Sequence, residues 1–219
     1  TSIKPVTYSI KGGTSPDDIV AMLVAGPPKN TFTVPEGLSL NETARIVSKA
    51  YGDKISAEDF IAAATNASAF QDKYPFVADA YNNSLEGFLF PKTYEIRDDA
   101  TVQSVISQML DQYATETAKL DYAYPKSRGL STYDALKLAS VVEKESNDQT
   151  RAHVASVFYN RLAQNMRLQS DATVAYIVGH DPTPTDIADT DSPYNTYRNA
   201  GLPAGPICSP GLSSLQAVC

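Results

Sequence analysis

The sequence predicts an α+β fold: a mainly helical domain with short strands and a long Pro-rich loop, preceded by a small strand–helix–strand module. Three observations predict it. Capped segments with apolar residues at helical spacing fill the middle of the 219-residue chain. Alternating runs are brief. Residues 181–206 carry five prolines, a density that more often marks a binding surface than filler.

Tyr8 to Ile10 alternates and predicts a first strand, broken by Gly12-Gly13. Ser15-Pro16-Asp17-Asp18 then supplies a cap, a first-turn proline and two acids for a helix running to about Ala25. Gly26-Pro27-Pro28 ends that helix, and Thr31 to Val34 alternates again. Residues 1–34 are thus expected to form a partial module too short to fold alone, with the main domain at 35–219. Ser39-Leu40-Asn41-Glu42 is a capping box for a helix to about Tyr51, and Ser56 to Asp59 opens another with Phe60, Ile61 and Ala64 inward. After Asn82-Asn83-Ser84 comes a strand-like stretch, Phe88 to Tyr94, in which Pro91 argues for an edge or loop. Helices are predicted over Val102 to Leu120, from Ser131, and over Asp148 to Leu162.

A hydrophobic fraction of 42% and a charged fraction of 20% exclude a disordered or collagenous chain. The longest apolar run, Ile19 to Ala25, is too short for a bilayer span of about 20 residues. A net charge of −7 without any basic stripe removes the electrostatic basis for nucleic-acid binding, so nucleic acid is not an expected partner. Two cysteines, Cys208 and Cys219, cannot complete a four-ligand zinc site. No metal is expected, and a disulfide between them and a pair of buried thiols stay open alternatives. His153 and His180 sit in unrelated contexts with no nucleophile elbow, which argues against a Ser/His triad. The chain lacks an initiator Met, and its apolar pattern Leu212, Leu215, Val218 runs into Cys219; its natural ends are expected to lie elsewhere.

One helix carries the chemistry. The stripe Ala135, Leu138, Ala139, Val142 progresses to Glu145 and Ser146, which puts a carboxylate on the buried face. Glu143 points roughly 160° away. Burial and the negative end of the helix dipole would both raise the pKa of Glu145 and suit it to general-acid catalysis of glycosidic cleavage. The bland alternative is a Glu145 paired with Arg161, or one that ends its helix in solvent.

The run Leu138 to Ser146 (LASVVEKES), then Val154 to Leu162 (VASVFYNRL) and Met166 to Tyr176 (MRLQSDATVAY), resembles the endolytic murein transglycosylase family, also called YceG-like or MltG. Leu85 to Pro91, Ser192 to Tyr197 and Gly201 to Ile207 agree with it. Lys92, Ala172, Ala204 and Ser209 depart from the family pattern, where an acid, two prolines and an Asn are usual. The resemblance implies a LysM-like identity for residues 1–34 and a YceG-like catalytic domain, C-terminally truncated, over 35–219.

It also implies a lytic transglycosylase that cleaves the β-1,4 bond between N-acetylmuramic acid and N-acetylglucosamine in peptidoglycan, leaving 1,6-anhydro ends. Glu145 would act as general acid and then as base, without a second nucleophilic carboxylate. Candidates for holding sugar are Gln169, Asp171, Tyr194 and Asn195, whose amides, carboxylate and ring suit hydroxyl and N-acetyl groups. Asn160, inside a matched run, is a further candidate, and Glu143, Ser146 and Glu86 are placed as supports. Structural alternatives stand beside them: Tyr194-Asn195 locking the turn after Pro193, and Asp171 capping a helix from Ala172. No cofactor is expected; some relatives carry the label aminodeoxychorismate lyase, but no Lys pairs with a Gly-rich phosphate cup here. Expected partners are glycan strands and peptidoglycan polymerases. The expected location is the extracytoplasmic face of the membrane, through an N-terminal anchor. A non-catalytic glycan-binding or scaffolding module is the alternative, and a hydrolytic, lysozyme-type outcome a closer rival.

Overall fold

The computed structural model describes residues 10, 12–25 and 30–219, with the backbone alone at 25. Helix α1 (Pro16–Ala25) starts where Ser15 Oγ accepts the Asp18 N–H at 3.2 Å. Tyr8 and Ser9 of the expected first strand lie outside the described residues, as do Gly26, Pro27 and Pro28; Ile10 belongs to no element.

Strand β1 (Thr31–Thr33) does form, but its antiparallel partner is β2 (Thr93–Glu95), with Thr31 opposite Glu95 and Phe32 opposite Tyr94. A strand assigned by the sequence to the N-terminal module is therefore stitched to the middle of the chain. The register puts Phe32 and Tyr94 on one buried face, rings 5.6 Å apart. Extended backbone begins only after Pro91, as a residue without an N–H requires of a ladder. Lys92 beside it forms a half-buried ion pair with Glu116 at 3.5 Å.

The helices follow their caps. Helix α2 (Leu40–Tyr51) carries the full Ser39/Glu42 capping box, and α3 (Ala57–Ala64) the Ser56 cap. Helix α4 (Val102–Thr117) has a Thr101/Ser104 box and stops three residues short of Leu120. After the short α5 (Ala123–Ser127), α6 (Thr132–Glu145) opens on the Ser131/Asp134 box and buries Ala135, Leu136, Leu138, Ala139, Val141 and Val142. Helix α7 (Arg151–Ala163) begins later than Asp148, because the Asn147 side chain accepts the N–H groups of Gln149 and Thr150 and holds a turn there.

Helix α8 (Asp171–Val178) ends on left-handed Gly179. The Pro-rich stretch is not wholly loop, since Pro184 at a first-turn position starts α9 (Pro184–Asp189). Helix α10 (Leu212–Val218) closes the chain against α6 and α7. The core gathers Phe60, Leu85, Phe88, Met109, Leu136 and Leu168 around α6. Both cysteines are free thiols, Cys208 fully buried with its Sγ on the Ser140 carbonyl at 3.3 Å. Among the described residues no helix is long and apolar enough to cross a membrane.

The Leu85–Phe90 turn is pressed onto the Pro-rich segment at Gly87, whose φ is +86°; a Cβ there would stand 2.5 Å from Pro206. Gly87→Ala combines that clash with the left-handed penalty, so we expect a loss of about 2–4 kcal/mol, read by denaturant unfolding.

Candidate active site

Helix α6 runs out of the core one turn before it ends. Val142 is buried, Glu143 half-buried, and Lys144 and Glu145 exposed. The expectation of a dry Glu145 is thereby corrected: the inward stripe stops at Val142, and Glu145 is exposed. Nor does Arg161 pair with it, because that guanidinium donates to the Leu168 carbonyl. Instead the Glu145 side chain crosses to the start of α8. Its Oε1 accepts from Ser170 Oγ at 2.6 Å and from the Ala172 N–H at 3.4 Å.

That arrangement has local causes. Ser146 leaves α6 in extended backbone and ties its Oγ back to the Val142 carbonyl at 2.5 Å, which ends the helix cleanly. Ser170 is buried, its N–H donating to Thr196 Oγ1 at 3.0 Å, and Thr196 shares a 2.9 Å bond with Thr173. A carboxylate against the first turn of a helix meets unsatisfied N–H groups and the positive end of the dipole. Ala172 stands where the sequence resemblance places proline, and so supplies an N–H that proline lacks.

A cleft of about 770 Å³ opens beside this contact. Ser39 and Arg45 come from the α2 side, Ala172 and Tyr176 from α8, and Lys144 and Tyr194 complete the walls. Lys144, which precedes Glu145 in α6, and Ala172, whose N–H Glu145 accepts, both line the cleft, whereas Glu145 itself is not among the lining residues. Tyr176 and Tyr194 pack ring to ring at 5.1 Å, and the glycine at 205 leaves room for the Tyr194 hydroxyl, which would lie 2.6 Å from a Cβ. Burial pushes both hydroxyls above the ordinary tyrosine range, so they remain neutral donors.

The other predicted residues divide. Asp171 is the first residue of α8, not its cap, and its Oδ1 accepts from Tyr197 Oη at 2.6 Å. That bond, with some burial, pushes Tyr197 up to about 12. Gln169 is exposed near Glu145, in left-handed backbone (φ 51°) held by its N–H on the Thr196 carbonyl at 3.2 Å; such backbone is uncommon outside Gly, Asn and Asp. Asn195 is fully buried, donating to the Ile187 and Thr190 carbonyls at 3.0 and 2.9 Å and accepting the Tyr197 N–H at 3.0 Å. Its amide is occupied by the loop, so it holds the turn and not a sugar. Asn160 is exposed on α7 and does not line the cleft. Glu143 accepts from the Gly211 N–H at 3.0 Å and Ser214 Oγ at 2.6 Å, which fastens α10 to α6. Ser170, Tyr176 and Tyr197 were missed by sequence reasoning, although all three sit inside matched runs.

The YceG-like family model matches residues 1–219. The chain belongs to the YceG-like family. It is 34% identical over 245 residues to the endolytic murein transglycosylase of Streptococcus pneumoniae R6, covering 99% of this chain and 44% of that protein. It is 35% identical over 231 residues to the Bacillus subtilis endolytic murein transglycosylase, covering 96% of this chain and 62% of that protein. The chain thus spans about half the length of these curated relatives. A crystal structure of a yceG-like protein from Listeria monocytogenes superposes with a TM-score of 0.77 at 33% identity, over 92% of this chain and 70% of that one.

The dry acid of this YceG-like domain is Glu86, 5% exposed. Burial pushes its carboxyl up to about 7, against the opposing pull of hydrogen bonds from the Leu40 and Gly87 N–H groups and the Tyr176 hydroxyl. Glu42, Tyr133, Tyr194 and Cys208 are the other titratable groups coupled to it. An acid whose folded pKa is raised binds its proton more tightly when folded, so stability is full below pH 4.5 and declines as pH rises towards 7. Glu86→Gln removes that decline. Relative to the wild type, the variant should gain on the order of 3 kcal/mol in denaturant-unfolding stability between pH 4 and pH 8.

Proposed function

We propose that this domain cleaves the β-1,4 bond between N-acetylmuramic acid and N-acetylglucosamine inside peptidoglycan glycan strands, leaving 1,6-anhydro-muramyl ends, with Glu145 as the catalytic residue. The observation that carries this reading is the Glu145 carboxyl held on the first turn of α8, whose Ala172 lines the cleft. Its Oε1 is held by Ser170 and Ala172, while Oε2 has no partner among the described residues. One oxygen orients the group and the other is free to pass a proton. The names of the relatives support the same class of reaction for the longer proteins.

Protonated at Oε2, Glu145 donates to the glycosidic oxygen as the bond to the muramyl anomeric carbon breaks. The carboxylate then takes the proton of the muramyl C6 hydroxyl, whose oxygen closes onto that carbon, so one acid ends the cycle as it began. Tyr176 and Tyr194 offer ring surfaces to the sugars, the Tyr176 hydroxyl donating to Glu86, and Gln169, which is not among the residues lining the cleft, carries an amide with no bond within the described residues. Asp171 is occupied with Tyr197 and supports the mouth of the cleft. No cofactor enters this scheme. Peptidoglycan as substrate places the action outside the cytoplasm. An N-terminal membrane anchor, partnership with glycan polymerases and a LysM-like identity for residues 1–34 belong to the same proposal and are supported by the sequence resemblance alone.

Glu145→Gln tests it. Mass spectrometry of digested glycan strands should show anhydro ends reduced by about 10²–10⁴-fold with glycan binding retained. Unchanged anhydro products would remove Glu145 from the reaction, and reducing ends from the wild type would replace lytic transfer by hydrolysis. Glycan binding without any cleavage by the wild type would favour a scaffold.

A further inference from the structure

Among the described residues Glu86 is the only carboxylate more than nine-tenths buried, and the reaction above makes no use of it. Its position is unusual. Both carboxylate oxygens lie 3.0 Å from the Leu40 N–H, the first residue of α2, and Oε2 also accepts from the Tyr176 hydroxyl, in α8, at 3.1 Å. Helix α2 contributes Asn41, Glu42 and Arg45 to one side of the cleft, and α8 contributes Ala172, Ala175 and Tyr176 to the other. The same helix α8 offers the N–H that Glu145 accepts. The turn bearing Glu86 is itself braced, through Gly87 against Pro206 and through the Glu86 N–H on Ser84 Oγ at 3.2 Å.

We propose that Glu86 is a positioning residue: a buried clamp that ties the α2 side of the cleft to α8, and so sets both the width of the glycan groove and the place of the α8 first turn against Glu145. The part concerning turnover rests on the function proposed above; the mechanical part does not. A buried carboxylate, more costly to hold than an apolar side chain of similar volume, is what a link between two backbone elements needs, because it accepts from several donors at once. Glutamine can copy the link, its carbonyl accepting from Leu40 and its amide donating to the Tyr176 oxygen. Alanine cannot.

Hydrogen–deuterium exchange of the whole chain, read peptide by peptide, measures the clamp, and kcat/KM on glycan strands measures its consequence. In Glu86→Ala, exchange across Asp171–Val178 and the first turn of α2 should quicken by about tenfold or more while α4 keeps its protection. In the same variant kcat/KM should fall about 10–100-fold, as for groups that orient a site from behind. Glu86→Gln should restore both. Tyr176→Phe, which keeps the ring and loses the hydroxyl, should quicken exchange in α8 alone, and it decides the matter if the alanine variant fails to fold. Unchanged exchange in α8, an increase spread evenly over α4 as well, or failure of glutamine to rescue would overturn the clamp. Local quickening in a protein whose wild type cleaves no glycan would leave the clamp standing and sink the lytic reading instead.

Discussion

Helix α8 is held at its first turn by an acid it does not own. Glu145, at the end of α6, places one carboxylate oxygen on Ser170 and Ala172, and this contact joins the most buried helix of the domain to the wall of its cleft. Much else serves that contact. Thr196 and Thr173 hold Ser170, the strained backbone of Gln169 turns the chain into α8, and Asn195 and Tyr197 brace the loop from below. An oxygen fixed by two donors leaves its twin oriented yet unpaired. That asymmetry, more than burial, suits the group to proton transfer.

A second acid reaches the same helix through Tyr176. Glu86 lies in the interior where Glu145 does not, and burial acts on its carboxyl accordingly. The two carboxylates illustrate how environment separates roles for one side-chain type. One is exposed and bonded to a helix start. The other is buried among tyrosines and backbone N–H groups, where it is positioned to hold structure together. A third, Glu143, fastens α10 to α6 through Gly211 and Ser214.

Membership of the YceG-like family and the architecture seen here fit together. The sheet is minimal among the described residues, a single pairing of Thr31–Thr33 with Thr93–Glu95, and helices do the work of closing the core. Because this pairing joins residues 31–33 to the middle of the chain, the start of the folded body lies before residue 34.

The sequence by itself determined the helices, since caps and apolar spacing are local: Ser39/Glu42, Thr101 and Ser131 each begin a helix where their side chains satisfy its first N–H groups. It also singled out Glu145, through a stripe that leads to it and through matched runs on either side. Only the tertiary structure decided that the stripe leaves the core before that residue, because helical period says which face a side chain shares but not how far the neighbouring elements reach. The partner of β1, the loop duty of Asn195 and the burial of Glu86 likewise depend on residues tens of positions away. Those contacts arise from packing of distant segments, and no local pattern encodes them.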